Sequence, residues 1–136
     1  MDVTNLGHWK TEIAVPENPF GFLYLIINKI SNRKYIGKKQ VQCKRKKALR
    51  KGKKKREIVI KETDWKTYTS SCNDLNDDIV KFGKENFEFH IIRFCDSKWE
   101  LGYWEIAEQI KQEVMFKKEY YNGIVNCRLC KLKEYR

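Results

Sequence analysis

Apolar and polar positions divide this chain into stretches of distinct period. Gly21-Phe22-Leu23-Tyr24-Leu25-Ile26-Ile27-Asn28 is apolar at nearly every position, and after Ile30-Ser31-Asn32-Arg33 a second run follows, Lys34-Tyr35-Ile36-Gly37-Lys38-Lys39. Two runs rich in aromatic and β-branched residues with a short polar link predict a β-hairpin. The first strand has no polar face, so it should be central and covered on both sides. Alternation sets Tyr24 and Tyr35 in neighbouring strands, and an in-phase register puts both phenols on one face.

Further on, Leu75, Ile79 and Phe82 recur at helical spacing from about Asn73, and Gly83 stands where a helix C′ residue belongs. Residues Asn86 to Phe94 alternate aromatics with Glu88 and His90, which predicts a third strand. Ser97 and Glu100 form a capping box ahead of the longest helical stretch, residues 98–117. Its apolar face reads Tyr103, Ile106, Ala107, Ile110 and Val114, with Glu105 projecting beside that stripe. Ile58-Val59-Ile60 is a short β-like run. Residues 1–19 contain Pro16 and Pro19 and no sustained period, so they read as an extended arm that Trp9 and Ile13 tack to the body. The expected fold class is α+β, a small, mainly antiparallel three-stranded sheet flanked by helices.

Length and charge narrow the function. A chain of 136 residues makes one ordinary domain. We divide it into the arm 1–19, a body 20–126 that includes a basic insertion at 38–61, and a basic tail 127–136. The formal net charge of +11 calls for a polyanionic partner, nucleic acid first, because Lys and Arg neutralise phosphates whatever the sequence. Most of that charge lies in one run: Lys38, Lys39, Lys44, Arg45, Lys46, Lys47, Arg50, Lys51, Lys53, Lys54, Lys55 and Arg56, with no acid before Glu57. Like charges this dense favour a solvated loop, above all from Lys51 to Arg56. Alternatively, residues 41–50 form a short helix with Val41, Ala48 and Leu49 as a thin apolar edge, and the rest becomes ordered on phosphates. Both readings can hold for one segment, and its place directly after the tyrosine hairpin makes DNA contact the expected role over a merely solvated loop.

No apolar run approaches the ~20 residues of a membrane span, and no signal peptide is visible, so the cytosol of the host cell is the expected compartment. Five cysteines argue for reduced thiols. Cys127 and Cys130 have the spacing of half a zinc site, whereas Cys43, Cys72 and Cys95 read as packing residues. His90 is either a base or simply an exposed residue of its strand.

The ordered set Tyr24, Tyr35-Ile36-Gly37, Ser70-Ser71, Phe82-Gly83-Lys84-Glu85-Asn86-Phe87, Glu105 and Tyr121-Asn122-Gly123 resembles the GIY-YIG nuclease superfamily. Within it the chain is most similar to phage intron-encoded and free-standing homing endonucleases, over about residues 20–126. The resemblance implies a DNA endonuclease with Mg²⁺ or Mn²⁺ held by Glu105. Pattern alone does not separate Glu105 from Glu100, Glu108 or Glu113. It implies a phosphate-gripping guanidinium at Arg45, with Arg50 as second candidate, and a water oriented or deprotonated by Tyr24 or Tyr35. Asn122 either orients a group next to the metal or caps a helix end.

The chain departs from the family in three places. Gly21 is not where the first motif usually has its glycine, Leu49 stands where many members carry a histidine, and the basic insertion is longer than in compact members. One centre per chain would require a homodimer on DNA, or two successive events, to break both strands. The rival readings are a non-catalytic nucleic-acid-binding module on the same scaffold and a basic structural protein that prefers RNA.

Overall fold

The computed structural model describes residues 5–125 and 129–136. In chain order it contains β1 (Gly21–Asn28), β2 (Lys34–Gln40), β3 (Gln42–Lys46), β4 (Ile58–Glu62), α1 (Asn73–Phe82), β5 (Phe87–Cys95) and α2 (Lys98–Lys111). Strand β1 is the middle strand of an antiparallel sheet in the order β2-β1-β5, and it lacks a polar face because both faces of the sheet are covered. Its Phe22, Tyr24 and Ile26 enter the main core with Trp9, Trp65, Leu75, Phe87, Phe89, Ile91 and Tyr121. On the opposite face Leu23 meets Leu101 of α2 and Cys95. Burying each of these large side chains stabilises the fold by about 1.5–3 kcal/mol. The α+β class read from the sequence is the observed one.

The hairpin turn depends on Asn28. Its side-chain oxygen accepts from the backbone N–H of Ile30 and Ser31, and its amide donates to the Tyr121 hydroxyl at 3.1 Å. Asn32 takes the left-handed conformation at φ 60°, which asparagine tolerates better than most residues. The N-terminal segment does more than lead into the sheet. The Lys10 N–H donates to Phe89 O and the Ile91 N–H to Lys10 O, both at 2.8 Å, which adds a single parallel bridge to the edge of β5. Trp9 is buried as expected and its indole donates to Trp65 O, but Ile13 stays exposed.

Residues 41–50 are not a helix. Gln42–Lys46 forms β3, paired antiparallel with β4 in a separate two-stranded ribbon, Lys44 opposite Ile60 and Lys46 opposite Ile58. Val41 is in the core, and Ala48 and Leu49 lie on the exposed connection to β4. Electrostatics accounts for this outcome. A helix would stack Lys44, Lys47 and Lys51, and Lys46 and Arg50, three and four residues apart on common faces, where like charges destabilise. A strand sends alternate cations to opposite faces and gives the β-branched run Ile58-Val59-Ile60 a partner.

Helix α2 is shorter than the expected 98–117. It ends at Lys111, Glu113 turns left-handed at φ 54°, and Val114–Phe116 forms a separate 3-10 turn. Half of the capping box forms: the Glu100 N–H donates to Ser97 Oγ at 3.1 Å, while the Glu100 carboxylate accepts from Asp96 N–H. The helix face also differs from the reading. Tyr103 and Ile110 are exposed, and the line turned toward the sheet is Leu101, Glu105 and Gln109, one residue every four. This line carries polar residues because it crosses the backbone of β2. Gln109 Nε2 donates to Ile36 O at 3.0 Å, and the Glu105 carboxylate lies close enough to the Lys38 N–H for that dipole to favour its charged form. Among the described residues no helix is long and apolar enough to cross a membrane.

Candidate active site and nucleic-acid interface

The antiparallel register places Tyr24 opposite Gly37, and the phenol of Tyr24 leans across that glycine. A Cβ built on Gly37 would fall 2.5 Å from the Tyr24 hydroxyl oxygen and 2.8 Å from Cε1 of Tyr35. Only glycine leaves room for both rings. Their centroids are 6.1 Å apart, so the in-phase alternation expected of the hairpin is realised. A third phenol, Tyr68, brings its ring to 6.4 Å from Tyr24. It follows β4 on an irregular segment with no period to mark it, and sequence reasoning missed it.

Glu105 of α2 lies near enough for its charge to act on both phenols. Its carboxylate is mostly covered, lies close to the Lys38 N–H and stands 3.9 Å from Lys38 Nζ. Burial raises the Glu105 carboxyl above its ordinary range, and the Lys38 charge and N–H oppose the shift. Both phenols are also raised. For Tyr24 the cause is burial, followed by the phenols of Tyr35 and Tyr68 and the Glu105 carboxylate. For Tyr35 it is burial and the Cys72 thiol, with a hydrogen bond to the Ser71 side chain working the other way. Near neutral pH both phenols are therefore neutral. Glu105 also lines a cavity of about 420 Å³ with Lys38, Lys98, Trp99, Gly102, Ile106 and Leu129.

Among the described residues no hydrogen bond joins Asn122 to these groups. It grips Ile36, midway between Tyr35 and Gly37, and so fixes the strand that carries them.

Arg45 lies elsewhere. It is on β3 and lines a cleft of about 510 Å³ with Lys39, Cys43, Lys61, Glu62, Thr63 and Asp64. Among the described residues no hydrogen bond, ion pair or ring contact joins it to Tyr24, Tyr35 or Glu105. Lys39 links the two regions: its Nζ is 2.8 Å from the Asp64 carboxylate and 4.0 Å above the Tyr68 ring. That hydrogen bond and charge hold Asp64 below its ordinary value.

Of the other cations, Lys44 and Lys46 share one face of the ribbon. Lys47 and Arg50 approach Glu57 at 3.9 and 3.8 Å. Lys51, Lys53, Lys54, Lys55 and Arg56 are exposed on the connection. His90 pairs with Glu88 at 3.0 Å and faces the cavity between the N-terminal segment and the sheet, apart from the tyrosines. Cys127 lies outside the described residues, so the zinc half-site does too. Cys130 is an exposed free thiol whose carbonyl accepts from the Trp99 indole at 2.8 Å.

Among the described residues no three His, Cys, Asp or Glu side chains gather around one point, which leaves one half-buried carboxylate beside an open cavity. Mg²⁺ or Mn²⁺ fits such a site, since Mg²⁺ keeps several waters and takes only one or two carboxylates.

Compared with known families, residues 8–125 match the model described as "Putative endonuclease segE, GIY-YIG domain". Comparisons with curated proteins and with solved structures give no match.

Proposed function

Because the chain belongs to the GIY-YIG nuclease family, matched over residues 8–125, we propose that it is a divalent-metal-dependent endonuclease that hydrolyses phosphodiester bonds of DNA. What supports the proposal is the pairing of Tyr24 and Tyr35 across Gly37, with the Glu105 charge acting on both phenols and Glu105 lining an open cavity with Lys38.

Hydrolysis requires a water aligned with the scissile bond and compensation of charge on the phosphate. Phenols kept neutral by burial accept and donate hydrogen bonds, so Tyr24 and Tyr35 hold the attacking water rather than carry charge. Glu105 would hold Mg²⁺ or Mn²⁺, which supplies Lewis-acid neutralisation of the phosphate when bound. The Lys38 ammonium, beside Glu105, adds positive charge on the same side.

Arg45, with Arg50 as second candidate, closes on the phosphate oxygens from the ribbon, where a guanidinium binds in bidentate fashion. The cations from Lys38 to Arg56 bind the backbone along the duplex. Asn122 acts through β2 and is a positioning residue. Cutting both strands takes a second copy or a second event.

The test is incubation of the purified protein with supercoiled plasmid, with and without Mg²⁺. Wild type is expected to convert it to nicked or linear forms only with metal, and Glu105→Gln to bind without cutting. Cutting by Glu105→Gln at the wild-type rate would overturn the assignment. Binding by wild type with no metal-dependent cutting would leave a non-catalytic DNA-binding module.

A further inference from the structure

The β3–β4 ribbon has two chemically different faces, and the cross-strand register defines them. Partners directly opposite in an antiparallel pair point the same way. Cys43 and Lys61, and Arg45 and Val59, therefore share the face that borders the Lys39 cleft. Gln42 and Glu62, Lys44 and Ile60, and Lys46 and Ile58 share the other.

On that second face Ile58 is 61% and Ile60 60% exposed, each directly opposite a lysine. Two adjacent isoleucines are left in water on the most basic element of the protein. Solubility does not require this, and nothing in the described core covers them. The face has a definite outlook. Ile60, Lys44 and Gln42 line a cavity of about 350 Å³ together with Lys98, and Lys98 also lines the cavity beside Glu105. The isoleucine face and the carboxylate thus open onto adjoining clefts.

We propose that this face of the ribbon enters the major groove of duplex DNA, where Ile58 and Ile60 contact thymine methyl groups while Lys44 and Lys46 reach the flanking phosphates. The proposal rests on the reading of DNA as substrate and deepens it from backbone binding to base recognition. Size selects the groove. Two strands ~4.8 Å apart with their side chains fit the ~12 Å major groove and not the ~6 Å minor groove. Chemistry selects the contact: the thymine methyl is the apolar group that the major groove displays, and an aliphatic side chain recognises it. Ion pairing to phosphate carries no sequence information, so selectivity has to come from side chains such as these.

The test uses two alternating copolymers, poly(dA-dT) and poly(dA-dU), which differ by the major-groove methyl. Binding is measured with Glu105→Gln protein, so cleavage does not interfere. The parent should favour poly(dA-dT) by about fourfold for each methyl it buries. Ile58→Ser/Ile60→Ser, which removes every methyl group from this face, should bind both polymers with the same salt dependence as the parent but without the preference. Equal affinity of the parent for the two polymers would overturn the proposal, as would a preference that survives in the double variant with its circular dichroism unchanged. Both results are independent of whether wild type cuts plasmid, so the failure of this inference and of the nuclease reading are separable.

Discussion

Asn122 grips Ile36 through both halves of its amide, accepting from the Ile36 N–H at 3.0 Å and donating to the Ile36 carbonyl at 2.8 Å. It thereby acts as one residue of a missing strand. Strand β2 is an edge, and just before this point Lys34 receives backbone bonds from the same segment, its N–H donating to Glu119 O and its carbonyl accepting from Tyr121 N–H. Tyr121 is itself tied down, since its hydroxyl donates to Asp78 at 2.6 Å and accepts from Asn28 at 3.1 Å. The segment around Tyr121 and Asn122 closes the open edge of the sheet beside Tyr35.

Replacing Asn122 by Ala leaves the buried Ile36 N–H without its acceptor, while the carbonyl keeps Gln109. An orphaned buried donor costs about 1–3 kcal/mol. For a chain of this size that lowers the melting temperature by roughly 2–8 °C per kcal/mol. Cleavage should fall more than the folded fraction does, because the strand that aims Tyr35 loosens. Scanning calorimetry and plasmid cleavage on one preparation check this. Loss of activity with no change in melting temperature would instead give Asn122 a direct chemical role.

A methyl group at position 37 is expected to be far more damaging than its size implies. Gly37→Ala puts a Cβ within 3 Å of the rings of both Tyr24 and Tyr35, and a core this close-packed cannot absorb it. The cost should be about 1–3 kcal/mol, with DNA affinity kept and cleavage reduced at least tenfold. Ala at Gly52, where nothing lies within 4 Å but φ is +84°, is the control for backbone strain alone. Equal cleavage by the two variants would remove the tyrosine pair from the chemistry.

How much of this was legible in the chain depends on whether a residue's surroundings leave a period. β1 is marked by an unbroken apolar run, β5 by burial that alternates, and α1 by apolar residues that recur every third or fourth position. Strand β3 carries Lys44, Arg45 and Lys46, which are exposed on both faces, so no hydrophobic pattern could reveal it. The inward line of α2 is hidden for a different reason: Glu105 and Gln109 face the backbone of β2, whose N–H and C=O groups call for polar partners. Tyr24 and Tyr35 follow from alternation. Glu105 follows only from resemblance, because four helical glutamates look alike in the sequence. The contact between Tyr68 and Lys39 spans an irregular segment and leaves no trace in pattern.

Glu105 carries a stability cost that pH should reveal. Burial raises its folded-state pKa, so the folded protein binds the proton more tightly than the unfolded chain. Stability from this group is full below the unfolded value and declines as pH rises toward the folded one. Glu105→Gln should therefore melt higher than wild type at neutral pH and converge with it in acid. Activity runs the opposite way, since the carboxylate must be ionised to act, and cleavage should climb across the same window. Lys38→Met removes a charge that opposes the shift and should move the acid limb of cleavage to higher pH. An unmoved limb would show that another group sets it.

His8 gives the clearest prediction about the N-terminal segment. Its ring stacks on Phe89 at 4.1 Å, Nε2 donates to Tyr68 O at 2.9 Å, and Nδ1 is buried with no hydrogen-bond partner among the described residues. Burial, aided by the Lys84 charge, lowers its pKa from 6.5 to about 4. The unfolded chain takes a proton near 6.5 that the folded chain refuses, so stability is intact above that value and drains away as pH falls toward 4. His8→Gln can still donate to the Tyr68 carbonyl and does not titrate. It should be less stable than wild type at pH 8, through lost stacking, but its melting temperature should fall less between pH 6.5 and 4.5. The same experiment bears on catalysis, because His8 holds the backbone of a tyrosine that packs against Tyr24. Acid that loosens this contact should depress cleavage more in wild type than in His8→Gln over that interval. Identical pH slopes for both proteins would place the acid sensitivity elsewhere, with Glu105 the next group to examine.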